Sequence, residues 1–247
     1  MKPSPLQLTL CATLASAAYA VTADSRFAGG MPITKLLKGK KGQVRGFIAE
    51  DSTLRAVAFS GTETLQDILT DLNVLQVPTR LFRTPVTVHA GFLDEYDALR
   101  EQLDVAVDAR PLLVTGHSLG GALATLAALG LAQRGASPIV CAFGSPRVGG
   151  WGFSKLYNTT VPATLRVVHD NDAVPQVPKA AYWHVDRLLH LRNDGSEIRA
   201  PKRLWAWVRN QFFSMRDTLS GDGVREHAMT GYREAVNGYA NRVALGA

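Results

Sequence analysis

The sequence predicts an α/β fold with a mostly parallel central sheet and helices on both faces. Three observations predict it. Strand-like apolar runs alternate with helix-like runs along the chain, the pattern of parallel strands joined by crossover helices. The composition, 46% hydrophobic and 19% charged over 247 residues, allows one domain over 1–247 to bury a sizeable core. A serine also stands between glycines where an apolar run gives way to an alanine-rich one, in "VTGHSLGGALATLAAL", 114–129.

The elements follow in chain order. "MKPSPLQLTLCATLASAAYA" has two readings. A lysine, an apolar stretch and Ala18-Tyr19-Ala20 suit a secretory leader. Ser4 as N-cap, Pro5 at the first helical position and Gln7 closing a capping box suit a helix. Leu6, Leu10, Leu14 and Ala17 would then share one face. The capping signals favour the helix, and neither reading fixes the compartment as cytoplasmic or secreted. "QVRGFIAED" and "LRAVAFSG" read as strands. "PVTVHAGF" leads into a helical stretch, "LDEYDALREQLDVAVDA". "PLLVTG" reads as a buried strand and "GALATLAALGLAQRG" as a helix ended by glycine. "PIVCAFG" and "TLRVVHD" are further strands. "RLLHLRNDGSEIRA" reads as a hairpin turning at Asn193-Asp194-Gly195, and 201–219 as a helix opened by proline.

Composition excludes several function classes. No apolar run approaches the roughly 18 residues a transmembrane segment needs. The net charge of +6 favours anionic partners such as acidic lipid surfaces, and no nucleic-acid motif is recognised. No cluster has metal-ligand spacing, so neither metal nor cofactor is implied. The two cysteines cannot form a disulfide framework, and Cys141, inside an apolar run, reads as a buried thiol.

A strand that turns abruptly into a helix around Gly116-His117-Ser118-Leu119-Gly120 has the form of a nucleophile elbow. Glycines two before and two after Ser118 let strand and helix approach without Cβ clashes. A serine hydroxyl needs a base. Six histidines are present: His89, His117, His169, His184, His190 and His227. The order serine, acid, histidine of such elbows removes His89. His117 should point away from the Ser118 hydroxyl. His227, after a glycine-rich turn and before a helix, is favoured over His184. For the acid, Asp170 and Asp172 both follow the strand "TLRVVHD", and spacing barely separates them.

These motifs, in this order, resemble the class 3 lipases, the fungal triacylglycerol-lipase type of α/β-hydrolase. "VAFSGTETLQDILTDL", "VHAGF", "VTGHSLGGALATLAA", "CAFGSPRVGGWGF" and "RVVHDNDAVPQVP" carry the resemblance across nearly the whole chain. It implies Ser118 as nucleophile, Asp172 as acid and His227 as base. The oxyanion donors would be the backbone N–H groups of Leu119 and Thr62, the Thr62 hydroxyl adding a second bond. Ser60 stands where many relatives carry arginine, and Ile68 where many carry a lid tryptophan.

Over 63–76 the sequence predicts a short lid. Leu65, Ile68, Leu69, Leu72 and Leu75 fall on one side at helical spacing, suited to covering the site in water and turning onto a lipid interface. An ordinary amphipathic helix packed on the core is the competing reading. In the 201–219 helix, Phe213 among basic residues suits an anionic membrane surface, or is simply exposed. The expected activity is a serine carboxylic-ester hydrolase cleaving acylglycerol esters through an acyl-enzyme. Alternatives are a phospholipase A, a feruloyl-esterase-like enzyme and a non-catalytic lipid-binding relative. The substrate partner is an ester or lipid; oligomeric state is not encoded in any motif found.

Overall fold

The computed structural model describes residues 2–62, 75–106, 110–179, 181–185, 187–198 and 227–246. The helices described are α1 (Pro5–Ala17), α2 (Ala90–Arg100), α3 (Leu119–Gln133), α4 (Trp151–Thr160) and α5 (Met229–Ala244). Strands β1 (Phe27–Ala28), β2 (Met31–Lys38), β3 (Val44–Glu50) and β4 (Arg55–Phe59) open the sheet, each antiparallel to the next. Strands β5 (Gln76–Thr79) and β6 (Val86–His89) pair as a separate antiparallel ribbon. Strands β7 (Leu112–His117), β8 (Pro138–Phe143), β9 (Thr164–His169) and β10 (Leu188–Leu191) follow β4 in parallel. The main sheet runs β1-β2-β3-β4-β7-β8-β9-β10.

The period-2 alternation of the central strands sets the layers. Val57, Phe59, Leu112, Val114 and Val140 join the core beneath α2, α3 and α4. Their neighbours Ala56, Ala58, Leu113, Cys141 and Phe143 join a second core beneath α1 and α5. Strands buried on both faces need both covers, as the sequence predicts.

The stretch 5–17 is helical and belongs to the second core. Ser4 Oγ accepts from Gln7 N–H at 3.2 Å and Gln7 Oε1 accepts from Ser4 N–H at 2.8 Å, so the predicted capping box forms. Of the predicted apolar face, Leu10, Leu14 and Ala17 pack on that core and Leu6 does not. Leu6 is 79% exposed, and Leu8, Cys11, Ala12 and Ala15 face inward together with Leu14. Small side chains at 11, 12 and 15 let the helix lie close to the sheet. The Thr115 hydroxyl of β7 accordingly lies 3.2 Å from the Cys11 carbonyl and 2.8 Å from that of Cys141. Both cysteines are buried and unbridged. A hydrogen bond with Cys11, together with burial, holds the Cys141 thiol well above its usual range.

Other expectations shift at their edges. The helix predicted over 93–109 starts earlier, as α2, and tightens into a 3-10 turn over Glu101–Ala106. The turn at Asn193-Asp194-Gly195 forms, with Gly195 N–H on Arg192 O at 2.9 Å and φ of 78° at Gly195. Beyond it, among the described residues, an isolated bridge, Leu191 to Glu197, joins the two arms, while β10 forms its ladder with β9. Strand β2 and helix α4 have no counterpart in the sequence reading. β2 is half exposed and interrupted by Pro32, Lys35 and Lys38, so its apolar positions do not read as a strand.

At the elbow, backbones meet. A Cβ on Gly116 would lie 2.2 Å from Gly120 O, and one on Gly120 would lie 2.3 Å from Phe59 O. Gly120→Ala should therefore cost about 2–3 kcal/mol through forced backbone displacement. Gly152→Ala, whose added methyl meets nothing within 4 Å, should stay within about 0.5 kcal/mol of the parent. Urea unfolding of the two variants checks the contrast.

Candidate active site

The parallel half of the sheet delivers the site residues to the carboxyl ends of its strands. Ser118 directly follows β7 with φ of 59° and ψ of −126°, and α3 begins at Leu119. Its N–H donates to Phe143 O at 2.9 Å, and its carbonyl accepts from Gly121 N–H at 2.9 Å. Ser118 is 1% exposed, and its hydroxyl has no hydrogen-bond partner among the described residues. Leu119 N–H occupies the first helical position, where no intrahelical acceptor exists. The Ser60–Thr62 loop after β4 packs on this turn, since a Cβ on Gly61 would stand 3.1 Å from Ser118 Cβ. Thr62 Oγ1 is buried and likewise unpartnered among the described residues.

Beyond β9 the two aspartates part ways. Asp170, at φ of 42°, accepts from Asn193 Nδ2 at 2.9 Å. Asp172 is 1% exposed and holds His227: Asp172 Oδ2 lies 2.8 Å from His227 Nδ1. Its Oδ2 also accepts from Tyr232 OH at 2.5 Å, and its Oδ1 accepts from Val174 N–H at 2.9 Å. His227 Nε2 is buried without a partner among the described residues. The acid left ambiguous by spacing is separated by these contacts.

The other histidines lie elsewhere. Burial and the guanidinium charges of Arg166 and Arg147 push His184 down to about 2, an environment opposite to that of a base beside a carboxylate. His190 Nε2 bonds to Asp170 O at 2.6 Å. His89 stacks on Phe92 with ring centroids 4.1 Å apart. His169 Nε2 lies 2.7 Å from Asn193 Oδ1.

His117 is closer to the chemistry than its sequence position suggests. Its ring lies 4.5 Å, centroid to centroid, from that of His227. Its Nδ1 is 2.7 Å from Tyr19 OH, just past the end of α1. Burial first, and then the neighbouring His227, hold it well below the usual imidazole range. Burial also pushes the Tyr19 phenol up to about 12, against a hydrogen bond from Gly61 N–H.

Three residues here escape sequence reasoning: Tyr19, Tyr232 and Gly144. Tyr232 lies in the first turn of the helix that follows His227, and a tyrosine five residues after a candidate base is the signal available for it. Gly144 has φ of 54°, and a Cβ there would lie 2.9 Å from Asp172 Oδ2 and 3.1 Å from His227 Cε1. The predicted lid residues Leu65, Ile68, Leu69 and Leu72, and the 201–219 helix, lie outside the described residues. Leu75, the last of that stripe, is described and is 62% exposed, and Gln76 already belongs to β5.

The family described as "Lipase (class 3)" matches residues 56–182, which span the 60–62 loop, the turn at Ser118 and Asp172. The chain belongs to the class 3 lipases. Secreted mono- and diacylglycerol lipase 1 of Fusarium solani is 31% identical over 155 residues, covering 59% of this chain and 46% of the relative. Phospholipase A1-II 4 of Oryza sativa subsp. japonica is 31% identical over 226 residues, covering 73% of this chain and 57% of the relative. The chain thus spans about half the length of these two relatives. The triacylglyceride lipase structure of Rhizomucor miehei superposes with a TM-score of 0.67 at 26% identity, covering 75% of this chain and 79% of that one. The fold of this class 3 lipase is therefore the α/β-hydrolase type, with the elbow where that fold puts its nucleophile.

Two depressed histidines make stability pH-dependent. His117 and His184 bind protons more readily in the unfolded chain, near the usual imidazole value of about 6.5, than in the folded one. Stability present above that value should be lost as pH falls below it. Thermal unfolding from pH 8 to 5 should show a falling midpoint below about 6.5, and His184→Gln should flatten part of the fall.

Proposed function

We propose that this class 3 lipase is a serine carboxylic-ester hydrolase that cleaves acylglycerol esters through an acyl-enzyme. The observation carrying this reading is the Asp172–His227 pair at 2.8 Å, in a chain that also holds an elbow serine at φ of 59° at the carboxyl end of β7. Ser118 Oγ and His227 Nε2 are both buried and unpartnered among the described residues. Buried polar atoms are nearly always satisfied, and exceptions concentrate where chemistry is done.

In this mechanism, His227 takes the Ser118 proton as Oγ attacks the ester carbonyl. Asp172 holds Nδ1–H, orients the ring and stabilises the imidazolium. The N–H groups of Leu119 and Thr62 receive the tetrahedral oxyanion, each such donor being worth about 3–4 kcal/mol. The protonated His227 then gives its proton to the leaving alcohol. Water, deprotonated by the same ring, releases the acid and restores Ser118.

A phospholipase A reading is favoured by two observations: the net charge of +6, which suits an anionic lipid surface, and the length of the match to the rice phospholipase A1. Contact with a lipid interface rests on the spacing of Leu65, Ile68, Leu69 and Leu72 alone.

Ser118→Ala should abolish hydrolysis of p-nitrophenyl butyrate, and His227→Ala should lower kcat by on the order of a thousandfold or more. His184→Gln should leave it within a few-fold. Unchanged turnover in Ser118→Ala overturns the enzyme reading. In the same assays, rates on mono-, di- and triacylglycerols and on phospholipids, with and without micelles, divide lipase from phospholipase. Rates highest for the shortest chains and indifferent to micelles remove the interface contact.

A further inference from the structure

The loop that carries Thr62 is held from an unexpected direction. Arg45, on β3, donates from Nη1 to Gly61 O at 3.0 Å. Its Nε donates to Glu95 Oε1, on α2, at 3.0 Å, and the same oxygen accepts from Gln43 Nε2 at 3.1 Å. Both ions are largely sequestered, with 16% of the Arg45 side chain and 14% of the Glu95 side chain exposed. Burying such a pair is costly unless the geometry is good and the remaining donors are used. The main-chain carbonyl of Arg45 accepts from Ser60 N–H at 3.0 Å. On the other side of the loop, Tyr19 OH lies against Gly61, where an added Cβ would stand 2.3 Å from it. Residues 60 and 61 are therefore both tied to Arg45 of β3, which Glu95 of α2 braces.

The Gly61 carbonyl and the Thr62 N–H belong to one planar peptide and point in opposite directions. Fixing the first fixes the second. A guanidinium on the carbonyl oxygen also draws electron density through the amide, which strengthens the N–H as a donor, as hydrogen-bond chains do. We infer that Arg45 is a positioning residue for the oxyanion hole, acting by clamping and polarising the Gly61–Thr62 peptide from behind. This rests on the assignment of Thr62 N–H as an oxyanion donor. Two arms in fixed directions are required, one to Glu95 and one to Gly61. The planar fork of arginine supplies them and lysine does not. Glu95 is the second part of the device, since it keeps the fork from rotating away from the loop.

The test uses Arg45→Met, Arg45→Lys, Glu95→Gln and Thr62→Pro, which deletes the N–H. A short soluble p-nitrophenyl ester is the substrate, and a trifluoromethyl ketone, which adds Ser118 to form a tetrahedral oxyanion, is the inhibitor. Arg45→Met should lower kcat by about ten- to a hundredfold with KM within about twofold, and raise the ketone Ki by the same factor. Arg45→Lys should not rescue, and Glu95→Gln should show a smaller loss of the same kind. In the Thr62→Pro background Arg45→Met should cost nothing further. Circular dichroism and thermal unfolding check folding, and Glu95→Gln carries the test if Arg45→Met does not fold. If Thr62→Pro keeps full kcat, the oxyanion assignment fails, and this inference with it. If Thr62→Pro is impaired but the Arg45 and Glu95 variants keep kcat and ketone affinity, the inference alone is overturned. An equal loss on Arg45→Met with and without the Thr62 N–H also overturns it, since Arg45 would then act elsewhere.

Discussion

A serine held at positive φ between a strand and a helix is the constraint on which the rest of the molecule depends. For a non-glycine residue that conformation costs of order 1–3 kcal/mol and persists only when its surroundings over-determine it. Here the surroundings do so. The Ser118 N–H is taken by Phe143 O and its carbonyl by Gly121 N–H. Gly116 and Gly120 admit backbone contacts that any side chain would block. The helix beyond is buried on nearly every side, so its apolar burial anchors the turn. The turn points the hydroxyl at the carboxyl edge of the sheet and leaves Leu119 N–H free of an intrahelical acceptor.

Parallel topology explains why the other groups arrive at the same edge. β4, β7, β8 and β9 run the same way, so the segments following them emerge together: 60–62, Ser118, Gly144 and Asp172. Ligand sites of open α/β sheets form at this end for that reason. Only His227 must come from outside the sheet, and α5, packed against α1 and β9, fixes where its chain enters. Tyr232, in the first turn of that helix, closes on the same carboxylate oxygen as His227. The helix therefore positions both partners of Asp172 Oδ2 at once.

The layers, the central strands and the strand-turn-helix at Ser118 were legible in the sequence because each depends on local pattern. Continuous apolar runs identify β4, β7 and β8, strands buried on both faces, and glycines at two fixed offsets single out Ser118. The choice between Asp170 and Asp172 was not legible from spacing. It depends on Asn193 taking one carboxylate and His227 the other, and both partners are distant in the chain. The face of α1 was read too wide at Leu6 and missed Cys11, Ala12 and Ala15, because a large apolar residue outweighs small ones in any apolar count. Close approach to the sheet selects the small residues instead. Arg45, Tyr19 and Gly144 carried no local signal at all. Each acts through contacts with residues distant in the chain, and no periodicity records such contacts.

The neighbouring histidines impose a further condition on the site. His117 and His227 lie with ring centroids 4.5 Å apart and planes tilted by 35°, so a charge on one ring opposes a charge on the other. Burial and that neighbour hold His117 well below the usual imidazole range, and its Nδ1 lies 2.7 Å from Tyr19 OH. Asp172 Oδ2 accepts from Tyr232 OH and lies 2.8 Å from His227 Nδ1, so the carboxylate is set against His227 rather than His117. Gly61 packs against the same phenol, since a Cβ there would lie 2.3 Å from Tyr19 OH, so the loop proposed to hold the oxyanion and the His117 ring meet one side chain.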